Sequence, residues 1–270
     1  MTLFPLWSQR TQTRKAGSRM TVLAVFSNKG GVGKTATAVN LAYLAGQAGI
    51  RTLLCDLDSQ SSASFYFSVK PELKGSAKGF AKGGKTVLRS VQPTAYDNLD
   101  ILPADLSHRD LVLAFEDLSH SKRRLAQILE PLQERYALLI LDCPPTIGLL
   151  ADNVFGAANR LLTPLVPTTL SFEAHRQLLA FAKHEGYKER SILGFLSMVD
   201  RRKKLHRELA AAAVQFPGML HATVPYATHI ERMGVQREPV PVFAPRSEAA
   251  RAYQALWAEV APQLWSALAK

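Results

Sequence analysis

The sequence predicts a doubly wound α/β fold, with a mainly parallel sheet and helices on both faces, and three observations carry that prediction. Short, nearly unbroken apolar runs alternate with longer stretches of helical periodicity, the pattern of βαβ crossovers that feed a sheet covered on both sides. A glycine-rich segment, Gly30-Gly31-Val32-Gly33, joins the first apolar run to the first helical one. Two later runs end in acids, at Asp56-Leu57-Asp58 and at Asp142. Ligands of such folds gather beyond the carboxyl ends of the strands.

Val22 to Ser27 is the first strand, and the glycine turn releases into a helix near 34 to 48. Thr52 to Leu57 is the second strand. The Gly/Lys-rich stretch 74 to 85 shows no period and reads as a mobile loop. Leu99 to Leu102, Ala137 to Leu141, Leu161 to Val166, Ile192 to Val199 and Ala222 to Val224 are the remaining strands. Helices are expected near 121 to 134, 147 to 158, 171 to 184, 204 to 215 and 246 to 269. Residues 1 to 19 lack periodicity and read as a disordered basic leader, with Met20 an alternative start. Residues 20 to 270 read as a single domain.

Composition narrows the function classes. The 270 residues are 47% hydrophobic and 20% charged, with 16 Gly and 15 Pro, which sets aside disordered, collagen-like and disulfide-scaffold chains. No apolar run approaches the length of a transmembrane helix. Leu3-Phe4-Pro5-Leu6-Trp7 precedes Arg10, Arg14, Lys15 and Arg19, the reverse of a signal peptide, so cytoplasmic residence is expected. Cys55 and Cys143 sit in apolar, strand-like settings and read as buried free thiols. Thirty-three Lys and Arg against 22 Asp and Glu give a net charge of +11, which suits a polyanionic partner. The surplus is clustered at 1 to 19, at 70 to 89 and at 201 to 207. Solvated loops kept soluble by charge would explain any single cluster equally well.

The segment Ser27 to Thr35 nearly meets the G-x-x-x-x-G-K-[ST] pattern, with Asn28 where the first glycine usually stands. Glycines allow positive φ and close backbone approach, converging N–H groups meet phosphate oxygens, and the following helix offers its N-terminus to the anion. Lys34 is expected to bridge the β- and γ-phosphates and Thr35 to ligate Mg²⁺. An acid ending a buried strand is costly unless a cation receives it, and a magnesium ion at the loop meets that need for Asp142. Asp58 has two readings: an acid that orients the attacking water, or the N-cap of a helix starting near Ser59.

Lys29-Gly30-Gly31-Val32-Gly33-Lys34-Thr35 resembles the deviant Walker A box of the ParA/MinD group of P-loop ATPases, whose hallmark is a second lysine before the glycines. Asp56-Leu57-Asp58-Ser59-Gln60 resembles the family's second box and Asp142-Cys143-Pro144-Pro145 its Walker B. The likeness extends over roughly residues 21 to 265 and is weakest over 65 to 95. The resemblance implies a weak ATPase that uses ATP and Mg²⁺ and forms a nucleotide sandwich homodimer, with Lys29 reaching the partner subunit's phosphates. Lys29 to Ala36 would form the nucleotide cradle, Lys29, Lys34 and Asp58 would serve hydrolysis, and Thr35, Asp58 and Asp142 would lie around the metal. The ParA branch implies non-specific DNA binding by the ATP dimer. Release by hydrolysis, stimulated by a ParB-like or cargo-adaptor protein, would position a plasmid, chromosome or protein assembly over the nucleoid. Two departures stand out. Ser59-Gln60-Ser61-Ser62 replaces the usual Pro-Gln-Gly-Asn, and Ala36 stands where Thr is common. A leader of 19 residues is too short for a helix-turn-helix, so an operator-binding role is not expected.

The partner surface separates two branches of the family. Arg201, Arg202, Lys203 and Lys204 follow the strand ending at Val199, and Arg232, Arg237 and Arg246 recur where the resemblance places DNA contacts. Such groups neutralise phosphates without reading sequence. Arg202 has an intramolecular alternative in Glu208. A MinD-like membrane-cycling ATPase is the competing reading, because Leu256, Trp257, Val260, Leu264 and Leu268 recur at helical spacing. That helix has no basic polar face and is interrupted by Pro262, so it reads as core-packed rather than lipid-bound. His175, His184, His206, His221 and His229 lack metal-ligand spacing and read as surface or satisfied core groups.

Overall fold

The computed structural model describes residues 20–118, 121–145, 147–187, 191–213 and 215–266; the expected leader and Leu268 lie outside them. Eight strands form one sheet: β1 (Thr21–Val25), β2 (Thr52–Asp56), β3 (Gln92–Pro93), β4 (Leu99–Leu102), β5 (Leu138–Asp142), β6 (Arg160–Leu165), β7 (Ile192–Val199) and β8 (Met219–Pro225). Their order is β3-β4-β2-β5-β1-β6-β7-β8. Every pairing is parallel except β3 with β4 at one edge, so the expected doubly wound architecture is the observed one. The connections hold α1 (Lys34–Gln47), α2 (Ser62–Tyr66), α3 (Ser76–Lys82), α4 (Lys85–Ser90), α5 (Leu111–Glu116), α6 (Arg124–Leu129), α7 (Leu149–Ala157), α8 (Thr169–His184) and α9 (Lys204–Ala213). After β8 come α10 (Thr228–Glu231), α11 (Met233–Gln236), α12 (Val240–Phe243) and α13 (Glu248–Ser266).

The strands are apolar throughout because each face carries its own core. Val22, Ala24, Leu53, Cys55, Leu139 and Leu141 point to one side, where Phe80, Phe115, Leu125, Ile128 and Phe155 cover them. Leu23, Val25, Leu54, Leu138 and Ile140 alternate to the other, against Val39, Leu41, Tyr253, Leu256, Val260 and Leu264. This alternation, with a period of two, puts consecutive residues of one strand into opposite cores. Helix α13 therefore lies in the core as expected. Asn40 fastens the chain's last quarter to α1: its Oδ1 accepts the Val240 amide at 2.9 Å and its Nδ2 donates to the Ala36 carbonyl at 2.7 Å.

Residues 74 to 85 are not a loop. They form α3 and the start of α4, because Ala77, Phe80 and Ala81 recur at helical spacing and are buried together with Val87. Glycines at 75, 83 and 84 take positive φ and break the chain into two short pieces, which hides the period from a longer window. Cys55 and Cys143 are buried and free, as expected. His206 is satisfied, accepting the Asp200 amide at 3.0 Å. His175 is not: it is buried against Gly194, neither ring nitrogen has a partner among the described residues, and burial lowers its pKa to about 4.

Candidate functional site

Strands β2, β5 and β1 are neighbours, and the register pairs Val25 with Asp142 and Asp142 with Asp56. Three strand ends therefore stop level, and the segments beyond them meet. After β1, Ser27 Oγ accepts the Lys29 amide at 3.2 Å, which turns the chain into the glycine loop. Gly31 and Gly33 take φ values of 70° and 90°, conformations that cost any other residue. A Cβ on Gly33 would lie 3.0 Å from Ser197 Oγ of β7, whereas above Gly30 and Gly31 the space is open. Gly33 caps α1 without a side-chain hydrogen bond, leaving first-turn amides free for an anion.

Lys34 begins α1, is largely buried, and donates from Nζ to the Lys29 carbonyl at 3.0 Å. Burial lowers its pKa; Asp142 and Asp58 pull it back up. The ammonium thus lies folded under the glycine loop, beside the acids. Lys29 is partly exposed and forms no ion pair among the described residues.

Asp142 is completely buried, and neither carboxylate oxygen has a hydrogen-bond partner of good geometry among the described residues. Burial raises its pKa well above the carboxylate range, and the charges of Asp56 and Asp58 push it further; the Thr35 hydroxyl and Lys34 oppose the shift. A buried, orphaned carboxylate beside a hydroxyl and an ammonium is the place in this fold that most lacks a cation. The described residues contain no group of three or more His, Cys, Asp or Glu able to hold a metal by themselves. That suits magnesium, which keeps its waters and takes few protein ligands beside phosphate oxygens.

Asp58 lies just beyond β2 and is partly exposed. Its Oδ1 accepts the Gln60 amide at 3.0 Å and its carbonyl accepts the Ser61 amide at 2.9 Å, so it opens a tight turn. It is not a helix cap, because α2 starts only at Ser62, with Ser61 before it at φ 54°. Asp56, to which sequence reasoning gave no role, organises this turn. Its carboxylate accepts the Asp58 amide at 3.1 Å and Ser64 through both amide and hydroxyl. Burial raises its pKa to about 7, with Asp58 adding to the shift. The signal was its parity with Leu54, which turns it toward the α1 side of the sheet. Ser61, one of the departures, donates to the Ala104 carbonyl at 3.0 Å and ties the turn to the segment after β4.

The predicted basic residues lie on the β7–α9 turn and on the segments around α10 to α12. Arg201 to Lys203 form the exposed turn between β7 and α9, and the exposed Lys204 begins α9. Arg202 pairs with Asp200, through two bonds of 2.9 Å, rather than with Glu208; that pairing pulls the Asp200 pKa down to about 2. Glu208 instead meets Lys204 at 3.6 Å. Arg201 and Lys203 have no ionic partner among the described residues. Arg237 lies over the Phe65 ring of α2, 4.4 Å from its centroid. Arg232 and Arg246 are exposed.

A glycine loop running into a helix at the carboxyl ends of a parallel sheet, with acids on the adjoining strands, is the architecture of the P-loop nucleoside triphosphatases. A family model described as AAA domain matches residues 20–192. The chromosome-partitioning ATPase Soj of Treponema pallidum is 30% identical over 254 residues, covering 88% of this chain and 96% of its own. The chain belongs to the ParA-type partitioning ATPases of the ParA/MinD family. Two solved structures share the fold. A Borrelia burgdorferi plasmid partition protein bound to AMPPNP gives a TM-score of 0.77 at 19% identity, over 91% of this chain and 99% of that one. Cobyrinic acid a,c-diamide synthase from Mycobacterium smegmatis, with bound ATP analog and magnesium, gives 0.74 at 23%, over 90% and 94%. Among the described residues no helix is long and apolar enough to cross a membrane.

Proposed function

We propose that the chain is a ParA-type ATPase that pairs through ATP, holds DNA without sequence preference while paired, and lets go on hydrolysis, so positioning a cargo over the nucleoid. The observation that carries the nucleotide site is Asp142, a buried carboxylate that lacks a hydrogen-bond partner of good geometry among the described residues, set beside Lys34 and Thr35 under an open glycine loop. Residues Lys29 to Ala36 cradle the triphosphate, with Lys34 on its terminal phosphates. Thr35 and Asp142 would hold Mg²⁺, with Asp58 close by. The ion supplies charge neutralisation at the phosphates. Asp58, partly exposed at the mouth of the site, orients the attacking water, and its turn, pinned through Asp56 and Ser61, sets how readily that acid moves.

Lys29 serves the partner subunit. It forms no ion pair among the described residues of its own chain, and a cation offered across a subunit boundary favours the pair only while anionic phosphate is present. Lys29→Ala is therefore expected to leave ATP affinity of the single chain within about threefold, while dimerisation with a non-hydrolysable analog falls by roughly 100-fold or more, the loss of two symmetry-related charge-assisted contacts. Sedimentation velocity with and without the analog measures both species. A variant that pairs as well as the wild type removes Lys29 from the interface.

DNA is the proposed surface because of Arg201, Lys203, Arg232 and Arg246, which are exposed cations without an acidic partner among the described residues. Retention on random-sequence duplex should require ATP, and should weaken steeply with salt as counterions compete. Equal retention with ADP and ATP would sink this reading. The MinD-like alternative is less well supported, since Leu256, Val260 and Leu264 are buried in the core; flotation with liposomes and ATP tests it directly. Cargo and adaptor would be sought by imaging which molecules travel with the protein across the nucleoid.

A further inference from the structure

We propose that residues 70–89, the helical pair α3 and α4 at the β3/β4 edge, form a second surface for the phosphates of duplex DNA, apart from the Arg201–Lys204 turn. This inference rests on the DNA-binding reading above and concerns where on the molecule that binding occurs. Lys70, Lys74, Lys78, Lys82, Lys85 and Arg89 are all exposed, and Glu72 is the single acid among them. None of the six bases forms an ion pair among the described residues. The 201–204 turn, by contrast, has lost two of its four charges to Asp200 and Glu208. The segment that looked like a flexible charged loop is therefore the larger block of unneutralised positive charge.

The platform is built to hold those charges in place. Ala77, Phe80, Ala81 and Val87 are buried beneath it. The Ala77 amide donates to Ser107 Oγ at 2.7 Å, the Leu73 amide to Asp105 Oδ2 at 3.2 Å and the Lys74 amide to Ser90 Oγ at 2.9 Å. Arg124 donates to the carbonyls of Ala81 and Lys82 at 2.6 and 2.8 Å, closing the end of α3 and adding a further cation. Lys78 and Lys82 are one helical turn apart, a rise of roughly 6 Å on the same face, and Lys74 continues the row before the cap. Asp105 and Ala104 also connect this platform to the Asp58 turn, because Ser61 bonds the Ala104 carbonyl.

The chemistry of the face selects its occupant. Five of its exposed side chains are lysine, which is depleted in protein interfaces, and no large apolar side chain between 70 and 89 is exposed to anchor a protein or enter a bilayer. Lysines at one-turn spacing without Asn, Gln or paired Arg forks fit a phosphate backbone and read no base. The sheet places this face and the β7–α9 turn on opposite flanks, about 30 Å apart at the usual strand spacing. A duplex held by both would be engaged over nearly one helical turn.

The test uses the full chain with a non-hydrolysable ATP analog and a fluorescent mixed-sequence duplex, titrated from about 50 to 200 mM salt. Combining Lys74→Gln, Lys78→Gln and Lys82→Gln should weaken binding by about tenfold or more at mid-range salt and reduce the slope of log affinity on log salt by about 2–3. Replacing the same three lysines with arginine should restore both. Should the triple glutamine variant melt several degrees lower, Lys78→Gln alone decides, with an expected slope change of about 1. Wild-type affinity and slope in the glutamine variants, while Arg201→Gln with Lys203→Gln abolishes binding, would overturn the platform and leave the DNA reading intact. Absence of duplex binding by the wild type would remove both. Unchanged duplex binding with lost binding to phosphatidylglycerol vesicles or to polyglutamate would reassign the face to a membrane or an acidic protein.

Discussion

Lys34→Ala should abolish ATP binding, raising the dissociation constant by about 100-fold or more in a titration with fluorescent nucleotide. The wild-type ammonium is held under the glycine loop by the Lys29 carbonyl and faces Asp142 and Asp58. It is desolvated before the ligand arrives, so a triphosphate meets a cation that has already left water, and such charge-assisted contacts contribute about 1.5–3 kcal/mol each. Engaging two phosphate groups brings the loss to the size stated. The apo fold should change little, because removing a buried cation relieves its own desolvation. The opposing effect is at Asp142, which loses the Lys34 charge that opposes its protonation. Its pKa should rise further. A melting temperature within a few degrees of wild type, with nucleotide binding gone, is the expected pair of results. Binding within threefold of wild type would show that the loop holds something other than a phosphate chain.

The sequence made the middle of the sheet legible and the edges much less so. β1, β2 and β5 are nearly continuous apolar runs because both faces are covered, and a glycine turn and a terminal acid mark where each stops. Those signals are local, so the glycine loop and the strand-end acids could be placed without the fold. The platform was hidden because its helical spacing, Ala77 to Phe80 to Ala81, is cut by glycines that take left-handed conformations and mimic loop composition. β3 is only two residues long and carries no periodicity at all. The pairing of Arg202 was missed for a different reason. Helix rules join residues three and four apart, and Asp200 meets Arg202 across a turn before α9 begins. Asp56 was visible as an acid at a strand end, yet its work is to receive the Asp58 and Ser64 amides, and partners of that kind are fixed by how the chain turns after the strand.

Asp142→Asn should separate stability from function in opposite directions. In the wild type without ligand, the carboxylate is buried, lacks a hydrogen-bond partner of good geometry among the described residues and lies near Asp56 and Asp58. Both Asp142 and Asp56 have folded-state pKa values above those of unfolded carboxylates, Asp56 at about 7. The folded chain therefore binds more protons than the unfolded one from about pH 4 upward, and the contribution of these groups to stability falls as pH rises through the folded values. Removing one carboxylate should flatten that decline and raise apo stability at pH 8 by about 1–2 kcal/mol, the usual gain when a functional site's strain is relieved. Added ATP with magnesium should reverse the ranking. The wild type gains a ligand that binds only the folded state, whereas the asparagine variant offers a neutral amide and should show little magnesium-dependent rise in melting temperature. Melting curves of both proteins at pH 5 and pH 8, with ATP in magnesium or in chelator, measure each part. An asparagine variant less stable than wild type at pH 8 without ligand would mean that the carboxylate is already satisfied within the chain, and the case for a cation at this position would go with it.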